Sequence, residues 1–258
     1  MAATGPERRA SWRAVWPSMV IGGAVLWASA GTEIDLPRLA AAGTRMAEFL
    51  ARMMPPDLSV LNEVTEATLE TLRIAILGTV GCVAASVVFG LLGAESLMPR
   101  VVAVPVKSLL ALIRAVPLIL VAMLMVGAVG LGPLPGILAI AFHATGMLGK
   151  FYAEAIEGVD RAPVAALESA GASFLQRLRY AIWPQMAPDI VRDTLFRFEL
   201  NLRESLILGI VGAGGVGFYI QTYVRSFQYQ KAATLTIVVA LIVLLIEVAN
   251  TRLRRITR

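Results

Sequence analysis

Cysteine and histidine are almost missing from this chain: Cys82 and His143 are the only ones in 258 residues. A single cysteine excludes a disulfide framework and a cysteine-based metal site, and a single histidine leaves no His-rich metal site. Charge is scarce as well. Asp, Glu, Lys and Arg make up 16% of the residues, against about a quarter in soluble domains. Lysine is the rarest of these, with only Lys107, Lys150 and Lys231. None of them completes the phosphate-cradling G-x-x-x-x-G-K-[ST] loop, because Gly149-Lys150 is followed by Phe151. The chain therefore binds no ATP through such a loop, and if ATP drives it, another chain supplies the ATPase. There is no internal repeat, no low-complexity tract and no separate soluble domain.

What the chain does have is apolar residue, 57% of it, with a mean hydropathy of +0.74. That excess points to lipid as the solvent. A membrane-spanning helix needs about 20 mostly apolar residues. The uncharged runs are Ala14–Thr32, Ile74–Ala94, Ala115–Gly149, Ser205–Val224 and Ala232–Ile246. The third is too long for one helix, and the turn-forming GLGPLPG (Gly130–Gly136) divides it. The last extends through Glu247 to Asn250. The expectation is an all-α polytopic transmembrane helical bundle of about six spans. The first run is read as an uncleaved span rather than a signal peptide, since its apolar part is long and a membrane protein follows.

Six spans put both termini on one side. Arg8, Arg9 and Arg13 lie at one end, and Arg252, Arg254, Arg255 and Arg258 at the other. With the loop 150–204 and Arg100, that side holds 15 basic residues against 6 opposite. The positive-inside rule then places both termini and the long loop in the cytoplasm. The net charge of +5 is read as setting orientation, not as a nucleic-acid footprint. The expected layout is a cytoplasmic tail over 1–13 and one transmembrane domain over 14–258. That domain has an external segment at about 31–73 and a cytoplasmic loop at about 150–204. Within the external segment, Leu39, Met46, Leu50 and Met54 recur at helical spacing and suit a helix lying along the membrane surface.

The long loop contains AALESAGASFLQRLRYAIWPQMAP (Ala165–Pro188). Asp160 and Pro163 fit the start of a helix that runs to about Ala170, and Gly171 fits its stop. Ser173 and Gln176 match a capping box, so a second helix follows. Phe174, Leu178 and Ile182 share a face of it, and Pro184 ends it. A plain connecting loop and a docking element both fit this pattern.

Other residues stand out by position. Arg114 lies three residues before Pro117 in an apolar stretch, and either snorkels to headgroups or lines an anion's path. His143 sits mid-span, as a packed core residue or a pathway group. Arg197, Glu199, Asn201, Arg203 and Glu204 open the fifth span, and Glu199 and Arg203 are spaced to pair along one helix face. Gly212, Gly214, Gly215 and Gly217 fit the dinucleotide pattern G-x-G-x-x-G. That pattern requires a preceding strand and an acid about 20 residues on, and here the next acid is Glu247. The glycines serve either close helix packing or a backbone break lining a cavity. No span holds a nucleophile or acid–base set, so no catalytic or metal-binding residue is assigned and the chain is read as no enzyme. Inverted repeats and charged relays, the marks of a secondary transporter, are also missing.

The charged loop resembles the EAA loop of bacterial ABC importer permeases, in which the pattern is Glu-Ala-Ala, three residues, Gly, nine residues, then Ile-x-Leu-Pro. Ala166, Gly171 and Pro184 match. Ala165 stands in the glutamate position, Leu167 in that of the second alanine, and Ala181 and Trp183 replace Ile and Leu. From about Leu36 onward, MPPD (Met54–Asp57), LIRAVP (Leu112–Pro117), GLGPLPG, GMLGKFYAEAIEGVD (Gly146–Asp160) and TLFRFELNLRESLILGIVGAGGVG (Thr194–Gly217) resemble the permease subunit of phosphonate-type importers. The resemblance implies a MetI-like permease fold in a bacterial inner membrane, acting by alternating access. It also implies a second permease copy, two cytoplasmic ATPase subunits that bind ATP and Mg, and an external substrate-binding protein. No cofactor is implied in this chain. The ATPase-coupling residues it implies are Ala165, Ala166, Leu167, Glu168, Gly171, Ala172 and Pro184. The implied pathway residues are Arg114, Pro117, His143, Arg197, Glu199, Asn201, Arg203 and the four glycines. Phosphonate, phosphate or phosphite is the implied cargo. A permease for another solute such as methionine is the alternative, since methionine permeases share the G-A-G-G-x-G block. A non-ABC secondary transporter stands behind both.

Overall fold

The computed structural model describes residues 12–32 and 35–256. Most of the expected tail 1–13 lies outside them. The chain divides into two compact units, 1–51 and 52–258. In the first, α1 (Trp12–Gly31) is a 20-residue helix with Pro17 inside it, at the place of the expected first span. At 1.5 Å per residue it is about 30 Å long, the thickness of a hydrocarbon core. Its apolar side chains from Trp16 to Trp27 are exposed, as suits a helix solvated by lipid. Then come α2 (Leu36–Ala40), capped by Asp35, and α3 (Ala42–Arg52). Leu39, Met46 and Leu50 are exposed, so the apolar stripe read from the sequence has no partner within this unit.

The second unit is the bundle. After a 3-10 turn at Leu58–Val60, α4 (Leu61–Gly93) runs for 33 residues. It begins inside the segment expected to be external, 13 residues ahead of the uncharged run. The charges of its first turns do not stop a helix; they only shorten its apolar stretch. Next come α5 (Arg100–Ala115), α6 (Leu118–Val129) and α7 (Pro133–Glu157). Here one expectation is corrected. The run Ala115–Gly149 does not hold two full spans, because α6 has only 12 residues, too few to cross lipid alone. Instead α5 and α6 form a pair bent by 85°. Pro117 cannot donate the backbone hydrogen bond that would continue α5, and it holds Val116 in an extended conformation. GLGPLPG makes a turn only as far as Gly132, since Pro133 already opens α7, where a missing N–H costs nothing.

α8 (Arg161–Ser169) and α9 (Phe174–Arg177) follow, then α10 (Trp183–Ile210), α11 (Gly215–Arg225) and α12 (Tyr229–Ile256). Among the described residues four helical stretches are long and apolar enough to span a membrane, and the bent pair makes a fifth. α4 and α7 pack along most of their length and form the centre. Ile74, Cys82, Ile140, Leu148 and Tyr152 belong to the core there, with Ile182, Met186 and Leu208 from the α9–α10 region. A second cluster joins α4 to α11 and α12 through Val64, Val216, Tyr223 and Leu235. Between lipid-solvated helices, close packing replaces the hydrophobic drive. At Gly146 a Cβ would lie 2.8 Å from the Leu110 carbonyl oxygen, so α5 approaches α7 at a distance only glycine permits.

Candidate functional site

The loop segment folds largely as its sequence dictates. Asp160 caps α8 by accepting the Ala162 N–H at 3.0 Å. Gly171 has φ +78°, the left-handed stop, and the Ala172 N–H closes onto the Leu167 carbonyl at 3.0 Å. The capping box is complete. The Ser173 N–H donates to the Gln176 side chain at 2.7 Å, and the Gln176 N–H to the Ser173 hydroxyl at 3.4 Å. Ala165, Ala166 and Glu168 are exposed on α8, and Leu167 is half-buried. Glu168 bonds Arg177 at 2.7 Å, tying α8 to α9.

Pro184 does not end the second helix, which corrects the expectation. A π-helical turn, Leu178–Ile182, carries the chain straight into α10, where Pro184 occupies the first turn. The Trp183 N–H reaches the Leu178 carbonyl, and the Gln185 side chain donates to the Ala181 carbonyl at 2.8 Å. The widened turn absorbs the missing proline N–H, as π-bulges do inside longer helices. The face shared by Phe174, Leu178 and Ile182 is thereby broken. Ile182 is buried, while Phe174 stays exposed.

Deeper in the bundle, α10 carries a buried cation. Arg197 is 4% exposed. Its Nε donates to Asn201 Oδ1 at 2.8 Å and its Nη2 to Glu204 at 2.6 Å, and its Nη1 faces the Met147 sulfur at 3.6 Å. Asn201, fully buried, donates in turn to the Thr79 hydroxyl on α4 at 2.9 Å. An unpaired charge here would cost several kcal/mol, so each partner is needed. His143 on α7 stands within electrostatic range of both Arg197 and Arg114, near the Val116 carbonyl at the α5–α6 bend. Its Nδ1 is buried and unpartnered. Arg114, His143, Arg197 and Asn201 are thus brought to one neighbourhood, with Pro117 forming the bend beside it.

Glu199 and Arg203 belong elsewhere. They pair at 2.7 Å, as their spacing predicts, and Arg203 also reaches Glu247 on α12 at 3.4 Å. The sequence grouping of five polar residues therefore splits into an inward face and an α12-facing one. Glu204 is the inward partner that belongs in the set. Its i, i+7 relation to Arg197 puts both on one helix face, and that signal was present in the spacing. Thr79 carried no comparable signal, being one threonine in an apolar run.

The glycines form a third element. Gly212, Gly214 and Gly215 all have positive φ, which breaks α10 from α11. The Gly132 N–H donates to the Gly212 carbonyl at 3.0 Å, and the Val216 N–H to the Thr71 hydroxyl at 2.9 Å, so backbone groups freed by the break find partners on other segments. At Gly214 a Cβ would lie 2.6 Å from the Glu70 carboxylate, and at Gly217 it would overlap the Leu206 carbonyl oxygen. Among the described residues no strand precedes this motif, so the dinucleotide pattern lacks its structural context. The glycines thus break the helix and also let neighbouring backbone pack closely against it.

Comparison with known proteins agrees with this architecture. Residues 86–258 match the family described as binding-protein-dependent transport system inner membrane component. The chain is 36% identical over 246 residues to the phosphite transport system permease protein PtxC of Stutzerimonas stutzeri, covering 95% of this chain and 90% of that one. It is 38% identical over 209 residues to the phosphate-import permease protein PhnE of Mycolicibacterium smegmatis, covering 81% of this chain and 39% of that one. Among solved structures it resembles a chain of the inward-facing MetNI methionine ABC transporter, with a TM-score of 0.68, 18% identity, and 78% and 99% of the two chains covered. At that identity the likeness speaks for the fold alone. The multi-pass helical bundle, its central polar node and its matched sequence converge: the chain belongs to the family of inner membrane components of binding-protein-dependent transport systems, the permeases of ABC importers.

Proposed function

We propose that this chain is the translocation subunit of an ATP-driven importer for a phosphorus oxyanion: phosphonate, phosphate or phosphite. The observation that carries the reading is the buried Arg197 node. Arg197 is neutralised there by Glu204, so the node is a polar lining in an apolar bundle. The positive charge left over near it is that of Arg114, in electrostatic range of His143, an arrangement that suits the passage of an anion. The phosphite and phosphate permeases that the chain resembles support the same choice of cargo. The methionine importer shares only the fold.

On this reading two copies form the pathway, and an external binding protein delivers the anion. Two cytoplasmic ATPase subunits engage the 160–184 segment. ATP and Mg belong to those subunits, and this chain makes and breaks no covalent bond. Both termini and the loop lie in the cytoplasm. ATPase closure pushes on α8, and the continuous α9–α10 rod carries the motion to Arg197. The glycine break at 212–217 serves the external gate.

The test is uptake of radiolabelled phosphite, phosphate, methylphosphonate and methionine by cells carrying the assembled transporter. Accumulation of a phosphorus oxyanion but not methionine is expected. Arg197→Lys keeps the charge and loses the two-pronged geometry, so uptake falls while ATPase co-purification persists. Methionine uptake alone, or no co-purifying ATPase, sinks the proposal. Ala165→Glu restores the family glutamate and leaves coupling intact or stronger; a complete loss of assembly would mean that the loop docks in another way.

A further inference from the structure

A separate cavity of about 220 Å³ lies beside α8, far larger than the roughly 15 Å³ of such space that one water needs. Ser96 comes to it from the α4–α5 connection, Arg161 and Glu168 from α8, and Phe174 and Arg177 from α9. Two arginines and one glutamate thus line it. Glu168 engages Arg177 only through Nη1, at 2.7 Å. The Arg177 Nε–H is shut off from solvent and unpartnered. Buried donors of this kind are almost always satisfied in native proteins, so Glu168 leaves part of the Arg177 fork unused. Arg161 makes no ion pair or hydrogen bond among the described residues. The lining therefore carries a surplus positive charge, with Ser96 adding a hydroxyl.

We propose that this cavity is a binding site for a tetrahedral phosphate-type oxyanion, held between Arg161 and Arg177. Arginine forks match such oxygens two at a time, which a point charge does not. An anion seated there bridges Arg161 on α8 to Arg177 on α9 and so holds the two short helices more tightly together. The site itself stands independently of the transport reading. Its consequence, adjustment of coupling by anion on this face, rests on the proposed role of the 160–184 segment. The same chemistry is offered by free phosphate and by a lipid phosphate headgroup.

The intact permease in nanodiscs tests this by amide hydrogen exchange over residues 161–182. In neutral phosphatidylcholine discs, inorganic phosphate at roughly ten times its Kd slows exchange there about tenfold relative to chloride of equal ionic strength. Arg161→Gln, which breaks no existing pair, abolishes the protection, and Arg177→Gln does the same. Protection in phosphatidylglycerol discs without added phosphate, lost in Arg161→Gln, identifies the headgroup as the occupant. Protection by neither source, or protection that survives in Arg161→Gln, overturns the site. Failure of the uptake assay leaves this readout untouched, so the two proposals fail separately.

Discussion

Arg197 illustrates how a single residue is committed by its neighbours. Its guanidinium is satisfied by Asn201, Glu204 and Met147, and Asn201 by Thr79. The pairing along α10 is local and follows from spacing. Thr79 lies 122 residues away in sequence and became a partner only when α4 and α10 packed together. Gly217 makes the same point through sterics. It presses against the last turns of α10, where an added methyl would collide with the Leu206 carbonyl. Gly217→Ala is expected to lower stability by about 1–3 kcal/mol, as overpacking does. Thermal unfolding of the purified permease measures it, and an unchanged melting temperature would show that the glycine packing is loose. The glycine pattern was visible from the sequence, but its contact with Leu206 was not, because the approach of two backbones leaves no trace in residue type.

Among the elements, α8 and α9 were the most legible. Asp160, Gly171 and Ser173–Gln176 act through bonds within three residues of themselves, so local chemistry suffices to place them. Ser173→Ala removes the cap acceptor and is expected to cost about 1 kcal/mol of local stability. It should speed amide exchange over 173–178 without altering exchange in α7. No change in that segment would mean the capping box contributes nothing there. Pro184 was misleading for a physical reason. A proline disfavours a helix ahead of it, yet a π turn shifts the bonding by one residue and lets the helix continue. Burial of Ala181, Ile182 and Met186 on one side holds that rod together, and burial is a tertiary term. The α5–α6 bend is the reverse case. The proline signal at 117 was present, but the uncharged run beyond it drew the span boundary to the wrong place.

Across the molecule as a whole, ion pairs also tie helix ends to one another. Lys107 bonds both Glu95 at 3.0 Å and Glu157 at 2.8 Å, and the Glu95 N–H donates to Glu157 at 2.8 Å. This clamp joins the α4–α5 connection to the end of α7. Hydrogen bonding from Lys107, and then its charge, hold the Glu95 carboxyl below its usual value of 4.5. A carboxyl depressed in the folded state stabilises it above that value, and the contribution is lost as pH falls through the lower, folded pKa. The wild-type melting temperature is therefore expected to decline below about pH 4.5, and Glu95→Gln to show a shallower decline. Thermal melts across acidic pH decide it, and parallel curves would remove Glu95 from the linkage.

By itself the sequence determined that this is an all-helical membrane chain, where most apolar segments fall, and how the two short helices after Asp160 are capped. These follow from composition, periodicity and short-range bonds, which act before the chain is packed. Only the tertiary structure decided that α5 and α6 make one bent pair, that the helix runs through Pro184, that Arg197 and Arg203 face opposite neighbours, and that Arg161 and Arg177 share a cavity. Each of these depends on which distant helix supplies the contact. In a bundle solvated by lipid that choice rests on close packing and a few buried polar bonds between helices, and neither is written in the order of residues along any one of them.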